Sequence, residues 1–174
     1  MMNDLMTGRV PIGGGFSLPD QHGHRVGPAQ WRGKVVLLYF GYMFCPDACP
    51  TDLSSIAAAI DALGPDGSRV QPVFVTLDPE RDTPAKLARY ALAFHPRLEA
   101  LRGSLAQTRR VANAYRVYYE RVQMPGTDQY AIDHTSFTYL LDARGRYVGY
   151  FPPGTSGVRM AEQVQAVMHA ASSP

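Results

Sequence analysis

The feature that most constrains the fold is an apolar run at residues 35–40 (VVLLYF), which ends at a glycine and is soon followed by a helical pattern. A run that does not alternate between apolar and polar residues predicts a strand buried on both faces. Such strands are typical of parallel sheets that are covered by helices on both sides. The sequence therefore predicts an α/β domain with this strand inside its sheet.

Both cysteines of the chain lie just after this strand, in the sequence CPDACP at residues 45–50. Proline is tolerated only in the first turn of a helix, so Pro50 predicts a helix that begins between Asp47 and Pro50. Cys49 then lies at a helix N-terminus, where the unpaired N–H groups and the helix dipole favour a thiolate. The i, i+4 spacing of Cys45 and Cys49 suits a shared metal ion or, with a small adjustment, a disulfide, and both chemistries stay open.

The rest of the chain predicts a thioredoxin-like order of elements. After the first strand and helix we expect a second apolar strand at residues 70–77, a helix capped by Thr83, and a helix that begins with a capping box at Ser104. Further segments are a short strand at 98–101, a strand or edge at 117–122, a loop at 124–133, a hairpin at 137–151 and a last helix capped by Ser156. This order indicates an α/β thioredoxin-like fold with a central mixed sheet flanked by helices and an N-terminal β-hairpin near residues 16–26.

Length and composition set the class of protein. The 174 residues, 45% of them hydrophobic, suffice for one domain, which we expect at residues 12–174 after a flexible segment at 1–11. The net charge of +2 comes from 17 basic and 15 acidic residues without a basic run, which argues against nucleic acid as a partner. The longest apolar stretch, around residues 35–44, is too short to span a bilayer.

His134 is the candidate third ligand of a metal site. Taken alone it is most simply a histidine at a strand edge, but in the predicted fold the loop before the final hairpin lies beside the cysteine turn. Two thiolates and one imidazole form a soft site that suits Cu(I), and the imidazole helps to hold Cu(II). A structural zinc site needs four ligands, and the sequence offers no second cysteine pair. Thioredoxin-type enzymes place a cis-proline before this hairpin, and residues 126–151 contain no proline, which favours metal binding over plain thiol exchange.

Five segments together resemble the Sco/SenC family of copper proteins: GKVVLLY at 33–39, FGY at 40–42, CPDACP at 45–50, LDPERDTP at 77–84 and DHT at 133–135. The resemblance extends over residues 12–151. It implies a thioredoxin fold, one copper ion held by Cys45, Cys49 and His134, and a role in assembling the dinuclear copper centre of cytochrome c oxidase subunit II. It also implies a place at the periplasmic face of the membrane, with an anchor outside this sequence, and contact with other copper chaperones.

Some roles stay open. Met43 stands where the family commonly has a small polar residue, and we interpret it as a packing residue. Asp78 and Arg81 are candidates for supporting the copper ligands or facing a partner, although turn chemistry also explains them. The alternative function is that of a thiol-disulfide oxidoreductase, in which Cys45 and Cys49 are redox-active catalytic thiols that reduce the cysteines of oxidase subunit II or of another extracytoplasmic protein.

Overall fold

A computed structural model describes residues 12–44 and 48–172 and shows a thioredoxin-like fold built on a mixed five-stranded sheet. The first strand of this sheet is the apolar run identified above, and all seven of its residues are buried. The sheet strands are β3 (Val35–Gly41), β4 (Val70–Thr76), β5 (Glu99–Leu101), β8 (Thr138–Leu141) and β9 (Tyr147–Phe151).

The strand order β5-β4-β3-β8-β9 places β3 at the centre of the sheet. β4 pairs with β3 in parallel, whereas β8 pairs with it antiparallel, with Thr138 opposite Tyr39. The start of β8 therefore lies beside the C-terminal end of β3. This topology carries the residues just before β8 to the turn that follows β3, as the sequence predicted.

Helices cover the sheet, and three of the described helices begin at the predicted N-terminal capping residues. The described helices are α1 (Ala48–Ala62), α2 (Pro84–Phe94), α3 (Leu105–Ala114) and α4 (Gly157–Ser172). Thr83 caps α2 by accepting a hydrogen bond from the Lys86 N–H, and Ser104 forms a complete capping box with Gln107. The Ser156 hydroxyl accepts from the Arg159 N–H at the start of α4. Helix α1 begins within the predicted bounds, although residues 45–47 lie outside the described part of the chain.

Two hairpins lie outside the central sheet. The predicted N-terminal hairpin is present as β1 (Leu18–Pro19) and β2 (Arg25–Val26). The second hairpin, β6 (Tyr119–Gln123) and β7 (Tyr130–His134), differs from the prediction, because residues 124–133 were expected to form a loop. The loop is shorter than predicted: Tyr130 packs against the core, Ile132 is buried, and residues 130–134 pair with β6. His134 is thus the last residue of a strand.

No helix within residues 12–44 and 48–172 is long and apolar enough to cross a membrane. The predicted flexible segment at residues 1–11 lies outside the described residues, so its conformation stays a prediction.

Candidate metal centre

The structure brings Cys49 and His134 together at the C-terminal end of β3. Cys49 lies in the first turn of α1 and is fully buried, and its Sγ is 3.5 Å from Nε2 of His134 at the end of β7. These residues are 85 positions apart, so the fold alone makes this pair. The third predicted ligand, Cys45, lies outside the described residues, and its role as a ligand stays a prediction.

The hydrogen bonding of His134 determines which ring nitrogen can bind a metal. Nδ1 lies 2.9 Å from the carbonyl oxygen of Thr135. A carbonyl oxygen only accepts hydrogen bonds, so Nδ1 carries the proton and donates it. In the neutral imidazole Nε2 then keeps its lone pair, and this nitrogen faces the Cys49 sulfur. Metal-binding histidines commonly donate their other ring N–H to a carbonyl in this way.

Two tyrosines from the end of β3 enclose the imidazole. The rings of Tyr39 and Tyr42 meet the His134 ring edge to face, with centroids 6.4 and 5.7 Å away and interplanar angles of 86° and 82°. Both tyrosines are buried, so they shield the ring from water and restrict its rotation.

The phenol of Tyr39 also faces the Cys49 sulfur. Burial, followed by the negative charges at Cys49 and Asp52, raises the pKa of Tyr39 well above its ordinary value. Hydrogen bonding of the phenol with the side chains of Cys49 and Asp52 raises this pKa further. The phenol therefore stays protonated, and a buried donor stands beside the place where a thiolate charge would form.

Gly41 provides the space for the Cys49 sulfur. A Cβ atom added at this glycine would lie 2.6 Å from Sγ of Cys49, and 3.0 Å from a ring carbon of Tyr39. Both separations are shorter than ordinary van der Waals contact. The absence of a side chain at position 41 thus allows α1 to bring its cysteine against the end of β3.

The donors fit a soft metal ion. One ion can bridge a sulfur and a nitrogen 3.5 Å apart with both bonds near their usual lengths, about 2.3 Å to sulfur and about 2.0 Å to nitrogen in zinc proteins. Thiolate and imidazole are also the ligand types that copper prefers. Within the described ranges, which exclude Cys45, no group of three or more His, Cys, Asp or Glu side chains forms a complete metal site.

Asp78 and Arg81 lie in the turn after β4 and tie that turn to β7. Asp78 is fully buried, forms an ion pair with Nε of Arg81, and accepts a hydrogen bond of 2.6 Å from the Tyr130 hydroxyl. Arg81 donates to the Tyr130 carbonyl at 2.8 Å and stacks over the Tyr130 ring at 3.7 Å. This cluster holds the strand that ends at His134.

Sequence reasoning missed three residues near the centre: Tyr39, Gly41 and Asp82. Gly41, between Phe40 and Tyr42 at the end of β3, could have indicated this site. A glycine within a strand often marks a place where a ligand or another part of the protein approaches the backbone closely. No separate role was predicted for Asp82, yet its carboxylate accepts a hydrogen bond from the Met43 N–H in the segment after β3. Met43, which was expected to pack, does pack against the core.

Comparison with known proteins gives one consistent result. The family model described as SCO1/SenC matches residues 5–169. A SCO2-like protein of Rickettsia prowazekii, RP587, is 43% identical over 149 residues, which cover 85% of this chain and 73% of the relative.

Solved structures agree with the sequence comparison. The structure of Bradyrhizobium japonicum ScoI with copper bound is 40% identical, with a TM-score of 0.82, and the match covers 90% of this chain and 99% of that one. BsSco, described with a disulfide switch and as a member of the Sco family of cytochrome c oxidase assembly proteins, is 22% identical with a TM-score of 0.63, over 92% of this chain and 94% of that one. At 22% identity, the similarity to BsSco supports the fold alone.

Proposed function

Because the chain belongs to the SCO1/SenC family, we propose that it is a copper-binding metallochaperone that holds one copper ion, Cu(I) or Cu(II), through Cys45, Cys49 and His134. Its proposed task is to assist assembly of the dinuclear copper centre in subunit II of cytochrome c oxidase. Other copper chaperones are proposed partners that supply the ion. We place this activity at the periplasmic or extracytoplasmic face of the membrane.

The single observation that carries the proposal is the orientation of His134. Its Nδ1–H is used by the Thr135 carbonyl, and its Nε2 lone pair faces the sulfur of Cys49 at 3.5 Å. A thiol-disulfide reductase needs two thiols, and an adjacent imidazole only assists the deprotonation of one of them. A copper carrier needs this lone pair as a ligand.

The residues at and around the proposed copper site have different roles in the proposed function. Cys45 and Cys49 supply thiolates that neutralise and retain Cu(I), and the His134 imidazole adds the nitrogen donor that stabilises Cu(II). Tyr39 and Tyr42 exclude water from the imidazole, and Tyr39 places its hydroxyl proton beside the sulfur. Asp78, Arg81 and Tyr130 hold β7 so that His134 keeps its position.

The decisive test compares copper delivery with disulfide reduction in cells. Cells whose only copy carries His134→Ala, and cells whose only copy carries Cys45→Ser, are grown at limiting copper, and assembled cytochrome c oxidase is measured. We expect both variants to fail, because a carrier needs all three ligands. His22→Ala is the matched control, since His22 is exposed in the N-terminal hairpin, and it should support full assembly.

The reductase alternative gives a different result. Loss of a neutral histidine should change thiol exchange only modestly, whereas loss of either cysteine should abolish it. If His134→Ala cells assemble the oxidase as well as cells with the unaltered protein while Cys45→Ser cells do not, the chaperone proposal is wrong and the reductase takes its place.

A further inference from the structure

The turn that follows β4 holds residues 41–44, at the end of β3 and just after it. The Gly41 carbonyl accepts a hydrogen bond of 2.7 Å from the Leu77 N–H. Two residues later, the Met43 N–H donates to Oδ2 of Asp82 at 3.1 Å, and the ring of Phe44 lies under the Arg81 guanidinium at 4.9 Å. The last described residues before Cys45 are thus attached to this turn by three different kinds of contact.

Asp82 is itself fixed on a second side. The hydroxyl of Thr76, at the end of β4, donates to the same Oδ2 at 2.6 Å, and the same hydroxyl oxygen accepts from the Asp78 N–H at 3.0 Å. The Asp82 N–H donates to the Asp78 carbonyl at 3.0 Å. One carboxylate oxygen therefore links the last residue of β4 to the backbone of the segment after β3.

Burial of a carboxylate at this position has a high desolvation cost. Asp82 is only 2% exposed and Thr76 is fully buried. Burial raises the pKa of Asp82 above its ordinary value, against the opposing effect of the hydrogen bonds from Thr76 and Met43. The hydrogen bonds from Thr76 and Met43 offset part of this desolvation cost, and they fix the direction of the carboxylate.

We propose that Asp82 is a positioning residue for the metal centre, because its carboxylate fixes the backbone of Met43, in the described segment that follows β3 and leads to the centre, relative to β4. This inference rests on the proposed role of Cys45 as a copper ligand.

The test is a competition titration of Cu(I) with a chromogenic chelator, on the full chain carrying Asp82→Leu or Asp82→Asn. Leucine removes the acceptor, and copper affinity should fall at least tenfold, with a shift of the Cu(II)–thiolate absorption band. Asparagine keeps an acceptor oxygen, and its affinity should stay within threefold of the unaltered protein. Asp142→Leu is the matched control, since Asp142 also accepts backbone N–H bonds in a turn, at the opposite end of the sheet, and its affinity should stay within twofold.

A second variant keeps the test valid if Asp82→Leu does not fold. Thr76→Val is nearly isosteric and removes the hydroxyl that orients the carboxylate, so the Met43 amide should exchange its proton faster and copper affinity should fall at least threefold. Wild-type affinity in Asp82→Leu, or in Thr76→Val if the former does not fold, would overturn the inference. A different result would show that the proposed function itself is wrong: the Cys45→Ser variant would bind copper as tightly as the unaltered protein.

Discussion

The replacement of Gly41 by alanine tests the geometry of the metal centre directly. The added Cβ would lie 2.6 Å from Sγ of Cys49, whereas ordinary contacts between heavy atoms are about 3.5–4.0 Å. The sulfur must therefore move by about 1 Å, nearly half the length of a metal–sulfur bond of about 2.3 Å. It can do so only if the Cys49 side chain rotates or α1 shifts, and either movement changes its separation from His134.

Two effects of Gly41→Ala can be estimated. Overpacking in a dense core costs about 1–3 kcal/mol, so the free energy of unfolding of the apoprotein should fall by about this amount in chemical denaturation. Copper affinity should fall at least tenfold, equivalent to about 1.4 kcal/mol, because the ligand pair no longer has its native spacing. Cu(I) competition titration measures this second effect.

Gly103→Ala is the matched control for Gly41→Ala. A Cβ at Gly103 would lie 2.8 Å from Cδ2 of Leu18 in β1 and 2.9 Å from Cβ of Gln107 in α3, and neither element carries a proposed copper ligand. This variant should lose comparable stability, about 1–3 kcal/mol, and keep copper affinity near that of the unaltered protein. If Gly41→Ala binds copper with unchanged affinity while Gly103→Ala is destabilised as expected, the geometric reasoning is refuted.

Two further predictions concern stability. Tyr130→Phe removes the donor to the fully buried Asp78 carboxylate, so the free energy of unfolding should fall by about 1–3 kcal/mol in denaturant titration, and a loss below about 0.3 kcal/mol would contradict the role given to this cluster. Partial burial raises the pKa of Asp142, but the N–H groups of Arg146 and Arg144 and the Arg146 guanidinium outweigh it and hold this pKa below its ordinary value. Asp142 therefore stabilises the fold above its unfolded pKa of about 3.9, and this contribution is lost as the pH falls through the lower folded value. The stability difference between the unaltered protein and Asp142→Asn should be constant from pH 7 to 5 and shrink below pH 4, and a difference that grows on acidification would contradict it.

The sequence allowed the central elements to be predicted because their signals are local. The apolar run of β3, the cap of α2 at Thr83 and the capping box at Ser104 each depend on residues within one or two turns. The meeting of Cys49 and His134 could also be anticipated, since it follows from the antiparallel pairing of β8 with β3. These predictions needed only periodicity, capping and topology.

Other features depend on contacts between distant segments. The strand at Tyr130–His134 is short and follows the Pro125-Gly126 turn, so its alternation of inward and outward residues was outweighed by the turn signals. The tautomer of His134 is set by a backbone carbonyl, and the role of Asp82 by a backbone N–H 39 residues away. Backbone groups are present at every position, so residue type alone could not identify these partners.

The most direct test of the proposed ligand set is the stoichiometry and affinity of copper binding by the reduced apoprotein. Titration with Cu(I) against a competing chelator should give one copper per chain, and Cys45→Ser, Cys49→Ser and His134→Ala should each weaken binding at least tenfold, while His22→Ala leaves it unchanged. Binding of one copper with full affinity in any of the three ligand variants would contradict the assignment of Cys45, Cys49 and His134 as the copper site.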